Sequence, residues 1–425
     1  MNEKKSLPTL PRGWLWTTIE EISHPPQYGW TTSASKTGEI KLLRTTDITS
    51  GRIDWKNVPY CKKTPDDIEK YVLHEGEVVI SRAGSVGYSH LIEKPKKAVF
   101  ASYLIRFKPL INPKYFSYFL KSPFYWRSIS KKKLGIAVPN VNATKLKQIF
   151  FPLAPQSEQE KIVEKIGELL TKLDAGVEDL QRIKKKLDAY RKSILKKVFT
   201  LNCEYKNLGE LFNTTSGGTP SRKHEEYYTG NIPWLKSGEI RDNKNIIDSE
   251  EHINENALNN SSAKIFPINT VLIALYGATI GKIGIIKKEM TTNQAICGIK
   301  PNNQFIPEFV FYYLLFKRQN LINQGKGGAQ PNISQGIIKA TLFPNISKEQ
   351  QKLIIDYIEL YFSLIDNLEA LIDNSLTKKE QLKKSILKNA FEGKLIPQDP
   401  SNEPAEMLLK ITKNKNQKYE QKRLT

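Results

Sequence analysis

From Gln156 to Phe199 apolar residues return every three or four positions, at Ile162, Ile166, Leu169, Leu173, Val177, Leu180, Ile183, Leu187, Tyr190, Ile194 and Val198. The stretch holds no proline, so the spacing predicts one helix with a single apolar stripe. Ser157, followed three residues on by Glu160, has the form of a capping box at its start. At ~1.5 Å per residue the helix is roughly 65 Å long, too long for one element of a compact core, and its stripe requires a partner. A second run supplies it. Ser347 and Gln350 form another box, and Ile354, Ile358, Tyr361, Leu364, Ile365, Leu368, Leu371, Ile372, Leu376, Leu382, Ile386 and Phe391 lead to a stop at Gly393. The first run is acidic early (Glu158, Glu160, Glu164, Glu168) and basic late (Lys184, Lys185, Lys186, Arg191, Lys192, Lys196, Lys197), and the second drifts the same way more weakly. Antiparallel pairing then sets acidic half against basic half.

Outside these runs the pattern changes to short strands and polar turns, and it does so twice. Ile40 to Ile48 matches Ile232 to Ile240 at an offset of 192 residues (232 − 40), preserving charge sign at Arg44/Lys236 and Asp47/Glu239. Val78-Val79-Ile80 with Gly84 and Gly87 is answered by Val271-Leu272-Ile273 with Gly277 and Gly281, each reading as strand, glycine turn and strand. Aromatic helices follow at Tyr115–Leu120 and Phe309–Leu314. Pro139-Asn140 and Pro331-Asn332 then precede the two long helices.

The expected fold is α+β, with two similar domains of mixed strands and short helices joined by two long antiparallel helices as a pseudo-twofold repeat. By chain order this gives a first domain over 1–155, a long helix over 156–200, a second domain over 201–346, a second helix over 347–393, and a polar, basic, mobile tail over 394–425. Two heads on a shared helical spacer make a dumbbell.

Composition narrows the partner. The 425 residues carry a formal charge of +21, which points to a polyanion. The start lacks the apolar core of a signal peptide, and the most apolar run, Val271–Ile280, is too short to span a bilayer, so a cytoplasmic protein without membrane contact is expected. Cys61, Cys203 and Cys297 are isolated, and the five histidines are scattered, which favours packing roles over a metal centre.

The glycine turns are not phosphate cradles: Gly277–Ile283 lacks the four-residue gap between glycines and the Ser or Thr after lysine. His24-Pro25-Pro26-Gln27 is the nearest approach to the Asn/Asp-Pro-Pro-aromatic tetrad of amino methyltransferases, with the wrong residues at both ends. A binder is therefore expected, not a catalyst. Both domains place hydrogen-bonding side chains in their turns: Arg82, Ser85 and Tyr88 against Tyr276, Thr279 and Lys282; Thr31, Ser33 and Lys36 against Thr219, Ser221 and Arg222; and Arg44 against Lys236. Any one of these alone is an ordinary solvated loop residue. As a set they suit contact with base edges and phosphates. A scaffold that joins subunits without reading DNA would explain the helices and the repeat, but not the charge or the doubled polar turns.

On Leu10-Pro11-Arg12-Gly13-Trp14, Ile232–Ile240, the glycine turns, the Pro-Asn elements and the helices beginning at Pro155 and Asn345, the chain resembles the specificity subunit of type I restriction-modification systems. The resemblance covers essentially the whole chain. It implies two target-recognition domains, each reading half of a bipartite double-stranded DNA target, and a helical spacer on which two methyltransferase subunits dock. It implies no catalysis and no cofactor in this chain: S-adenosylmethionine belongs to the methyltransferase partners, ATP and magnesium to restriction subunits joined through the complex.

Overall fold

The computed structural model describes residues 7–133, 140–325 and 332–424. Two compact units form, one from Met1–Asp179 with Ser375–Thr425, the other from Leu180–Asn374. Each unit combines a head with a portion of both long helices, Gln156–Phe199 and Lys348–Phe391. In the first unit Lys379 reaches Asp174 at 2.9 Å. In the second, Lys184 reaches Asp373 at 2.5 Å, and Arg191 holds Asp366 and Glu369 at 2.6 and 2.8 Å. Residue numbers rise on one helix as they fall on the other, so the pairing inside each unit is antiparallel.

The heads repeat one sheet plan. The first unit has a four-stranded sheet ordered Gln27–Tyr28, Leu104–Phe107, Val78–Ser81, Ser89–Leu91. The second has a five-stranded sheet ordered Thr214–Ser216, Ile296–Ile299, Val271–Ala274, Ile283–Ile286, Asn243–Ile246. A smaller sheet in each holds the strand leading to the charged turn, Lys41–Leu43 parallel to Ala98–Phe100 and Ile232–Leu235 parallel to Thr291–Thr292. The central strands Val78–Ser81 and Val271–Ala274 are buried on both faces, which is why they read as unbroken apolar runs.

The long helices contribute directly to each head's core. Ile162, Ile166, Leu387 and Phe391 pack with Phe107, Tyr115 and Phe151 in the first unit. Ile194, Phe199, Ile358 and Ile365 pack with Phe309, Tyr313 and Phe343 in the second.

Three sequence expectations change. The second capping box forms, with Ser347 N–H donating to Gln350 Oε1 at 3.1 Å and Gln350 N–H to Ser347 Oγ at 3.3 Å. The first does not: the helix already includes Gln156, and the Ser157 hydroxyl turns to Asn402 Oδ1 at 2.7 Å. Ile183 and Tyr190 of the first apolar run, and Leu364, Leu368, Leu371 and Leu382 of the second, placed on the stripes by spacing, are 44%, 62%, 51%, 48%, 62% and 49% exposed. The expected mobile tail instead contains a helix, Ala405–Leu424, with Ala405 and Thr412 buried and Leu408 and Leu409 against the first core. Lys413 pairs with Glu21 at 2.8 Å, and the Tyr419 ring lies 4.3 Å from His24. The lysines of this segment mask a short apolar face at helical spacing.

Candidate nucleic-acid interface

The two glycine turns are held by the same backbone bonds. In the first head Ser81 N–H donates to Tyr88 O at 2.8 Å, Gly87 N–H to Ser81 O at 2.9 Å, Arg82 N–H to Tyr103 O at 2.9 Å, and Val141 N–H to Arg82 O at 3.0 Å. In the second, Ala274 N–H donates to Lys282 O at 2.9 Å, and Gly281 to Ala274, Leu275 to Ala295 and Ile333 to Leu275, each at 2.8 Å. Gly84 and Gly87 (φ 72° and 89°) and Gly277 and Gly281 (φ 85° and 73°) adopt left-handed backbone that side chains disfavour. Arg82 thus corresponds to Leu275, and Tyr88 to Lys282. Arg82 and Lys282 lie at opposite corners of equivalent turns, a distinction that charge matching along the sequence does not resolve.

A neighbouring loop leaves each head through a glycine with no room for a side chain. A Cβ on Gly29 would lie 2.2 Å from Phe100 O, and one on Gly217 2.2 Å from Thr292 O. Just beyond, Trp30 N–H donates to Phe100 O at 2.7 Å and Gly218 N–H to Thr292 O at 2.9 Å. Thr31, Ser33 and Lys36 follow the first crossing, and Thr219, Ser221 and Arg222 the second; all six are exposed. The Thr219 hydroxyl meets Gln294 Oε1, and Ser221 Oγ accepts Lys223 N–H at 3.4 Å.

The candidate cations divide by their partners. Arg44 makes two bonds to the Asp47 carboxylate, at 3.0 and 2.9 Å, and this hydrogen bonding pushes its guanidinium above its ordinary pKa. Lys236 lies 2.9 Å from Glu251 and 3.4 Å from Glu250, and hydrogen bonding to Glu251 raises its ammonium likewise. Arg222 forms an ion pair with the other oxygen of Glu251 at 2.7 Å and lies over the Tyr228 ring at 4.0 Å. Lys282 lies 2.8 Å from Asp242. Arg82 differs: its guanidinium lies 5.0 Å from the Tyr28 ring centre, and its buried Nε has no hydrogen-bond partner among the described residues.

The remaining candidates serve the turns. Ser85 O accepts Tyr88 N–H at 3.3 Å, and the Tyr88 ring, 45% exposed, meets Trp126 edge-on at 5.3 Å. Thr279 Oγ1 donates to Ser237 O at 2.8 Å, tying the glycine turn to the charged turn, and Tyr276 beside it is half-buried. Asp242 and Arg318, at the foot of this turn, were not expected from sequence: Asp242 reads as an ordinary turn residue, and its partners are 40 and 76 positions away. Pro139 and Pro331 of the matched Pro-Asn elements lie outside the described residues.

Among the described residues no group of three or more His, Cys, Asp or Glu side chains could hold a metal ion, and no helix is long and apolar enough to cross a membrane. Burial pushes the Cys297 thiol up to about 12, far from a reactive thiolate.

Each head thus carries polar and cationic side chains on turns at its strand ends. The chain belongs to the family described as type I restriction modification DNA specificity domain, whose family model matches residues 19–188 and 201–378. It is 24% identical over 395 residues to the type I restriction enzyme StySPI specificity subunit of Salmonella potsdam, covering 86% of this chain and 84% of that one. It is 22% identical to the EcoKI specificity subunit of Escherichia coli K12, covering 93% and 92%. The crystal structure of the HsdS subunit from Thermoanaerobacter tengcongensis has a similar fold, with a TM-score of 0.63 at 16% identity over 92% of this chain and all of that one. A chain from a structural study of assembly and conformational transition in a type I R-M system has a TM-score of 0.68 at 17% identity, covering 91% of this chain and 100% of that one.

Proposed function

We propose that each head of this chain reads one half of a two-part double-stranded DNA target, while the long helices fix the gap and dock two methyltransferase subunits. Family membership makes the chain a DNA-specificity subunit of a type I restriction-modification complex, with catalysis in its partners. The observation that carries the two-reader reading is the doubled turn skeleton: the same four backbone hydrogen bonds present different side chains, Arg82 and Tyr88 in one head where the other has Leu275 and Lys282. Equal frames with unequal side chains suit unequal half-sites, because sequence is discriminated at base edges and not by the shared frame.

The fourteen candidate side chains are assigned to this interface; Arg82 and the exposed Lys36 are the cations among them with no carboxylate partner among the described residues. Docking on the helices is supported by leucines facing solvent in the second unit: Leu353, Leu360, Leu364 and Leu368 are 71%, 59%, 51% and 48% exposed along one side of the helix. An apolar stripe of this kind marks a protein interface. The methyltransferase partners would bring S-adenosylmethionine, and restriction subunits ATP and magnesium, in the cytoplasm.

Co-expression with methyltransferase partners, followed by mapping of methylated positions in the host DNA, tests the reading. A two-part motif with a fixed gap is expected. A scaffold that does not read sequence would yield no motif.

A further inference from the structure

Asp242 holds a left-handed backbone conformation, φ 58°, which aspartate and asparagine adopt more readily than other residues with side chains. In the first head the turn after the charged segment passes through the same region at Gly51, φ 78°, where no side chain is strained. The Asp242 side chain carries its carboxylate to the end of the glycine turn. That carboxylate is a hub. Oδ2 accepts Lys282 Nζ at 2.8 Å, and Oδ1 accepts Ile283 N–H at 3.1 Å together with an Nη2 hydrogen bond from Arg318. Arg318 Nε also donates to Gly281 O at 2.8 Å. Three consecutive residues leaving the glycine turn are therefore fastened to one carboxylate or to the guanidinium it holds.

The first head solves the same corner without charge. Its Gly87 packs against Trp126 and Ile129 as Gly281 packs against Arg318 and Ile322. Tyr88, the counterpart of Lys282, meets Trp126, the counterpart of Arg318, as an aromatic pair. Replacing two rings by two cations places extra positive charge beside a DNA-reading turn, and Asp242 is the carboxylate hydrogen-bonded to both. A lysine with an arginine at such a turn would otherwise attract phosphate regardless of sequence.

Resting on the two-reader function, we propose that Asp242 is a specificity-determining positioning residue of the second head: it neutralises Lys282 and Arg318 and fixes their turn, so that this head reads bases instead of clamping phosphates indiscriminately.

The test uses the full chain in complex with its methyltransferase partners, as the parent and as Asp242→Asn and Asp242→Gly. Both replacements tolerate left-handed backbone, so both variants are expected to fold, which thermal unfolding checks. Binding to random-sequence duplex is measured across a salt series, and methylation motifs are mapped. With two cations released, the slope of log K against log salt should steepen by about one to two, at ~0.9 per phosphate contacted. Discrimination at the second half-site should fall at least tenfold while the first half-site stays intact. The triple variant Asp242→Asn, Lys282→Gln, Arg318→Gln should return the slope to the parent value. Folded variants with parental slope and parental motif would overturn the proposal, as would loss of discrimination without any change in slope. A parent complex that yields no bipartite motif would instead refute the two-reader function.

Discussion

The side-chain carbonyl of Gln351 accepts the backbone N–H of Ile306 at 2.9 Å, bridging the start of the second long helix to the entry of the aromatic helix Pro307–Gln324. Its amide nitrogen donates to Ile346 O at 3.0 Å and Gln304 O at 3.1 Å. Gln159 does the same in the first unit, accepting Asn112 N–H at 3.2 Å and donating to Ala154 O at 2.9 Å. Both glutamines are fully buried. Each couples a spacer helix to its head, so that the turns inherit the helix's position.

Truncating either glutamine strands buried backbone groups. Gln351→Ala and Gln159→Ala are each expected to destabilise their own unit by about 1–3 kcal/mol, the cost of unsatisfied buried polar groups. Urea unfolding followed by a probe in each head checks this. A loss below about 0.5 kcal/mol in both variants would show that water replaces the amide without penalty.

Arg82 and Lys236 separate a contact from a structural ion pair. Arg82→Ala is expected to weaken binding to the matched duplex by about 1–3 kcal/mol if its guanidinium reads a base, and to relax one position of the first half-site. Lys236→Ala should cost less, because Glu251 and Glu250 already occupy its ammonium. Equilibrium binding to matched and single-mismatch duplexes distinguishes them. Equal small losses on every duplex would make Arg82 a phosphate contact.

His90 gives the first unit a pH dependence. Burial, with Lys121 nearby and against the pull of Glu93, pushes its imidazole down to about 4. The unfolded chain takes up this proton near pH ~6.5 while the folded chain resists it. The unfolded state therefore binds more protons inside that window, and stability falls as pH drops. The contribution is complete above about 6.5 and is lost as pH falls through about 4. His90→Gln should flatten the slope of unfolding free energy between those values relative to the parent, and an identical slope in both would contradict the assignment.

The long elements were legible because burial of one helix face imposes a period on the sequence, and the strands because strands buried on both faces read as apolar runs. The repeat offset was legible because equivalent frames keep equivalent residues, as at Gly87/Gly281; the Gln159/Gln351 pair, held in the same way in each unit, was not singled out by sequence. Ser157 was misleading. A capping box needs its serine at the helix boundary, and the helix here begins one residue earlier, freeing Ser157 for Asn402. Asp242 could not be found by pattern, because its role depends on Lys282 and Arg318, which approach it only after the chain folds. The correspondence of Arg82 with Leu275 was likewise hidden, since it is a relation between hydrogen-bond frames and not between residue types.

If the helices set the gap between half-sites, inserting four residues near Val177 lengthens the first helix by ~6 Å and over-rotates it by about 40°, keeping the apolar stripe nearly in register. At ~3.4 Å per base pair, the preferred gap should shift by about one or two base pairs with both half-site sequences retained. Inserting two residues turns the stripe to the opposite face and should impair assembly with the methyltransferase partners. Gap lengths come from methylation motifs of parent and variant cells; an unchanged gap in an active complex would remove the spacer role.

The most direct measurement exchanges residues 205–345 for the corresponding segment of a family member with a different specificity and maps methylated motifs before and after. Two independent readers predict that one half of the motif is replaced by that of the donor, while the other half and the gap are unchanged. A change in both halves, or no change in either, would contradict the assignment of one half-site to each head.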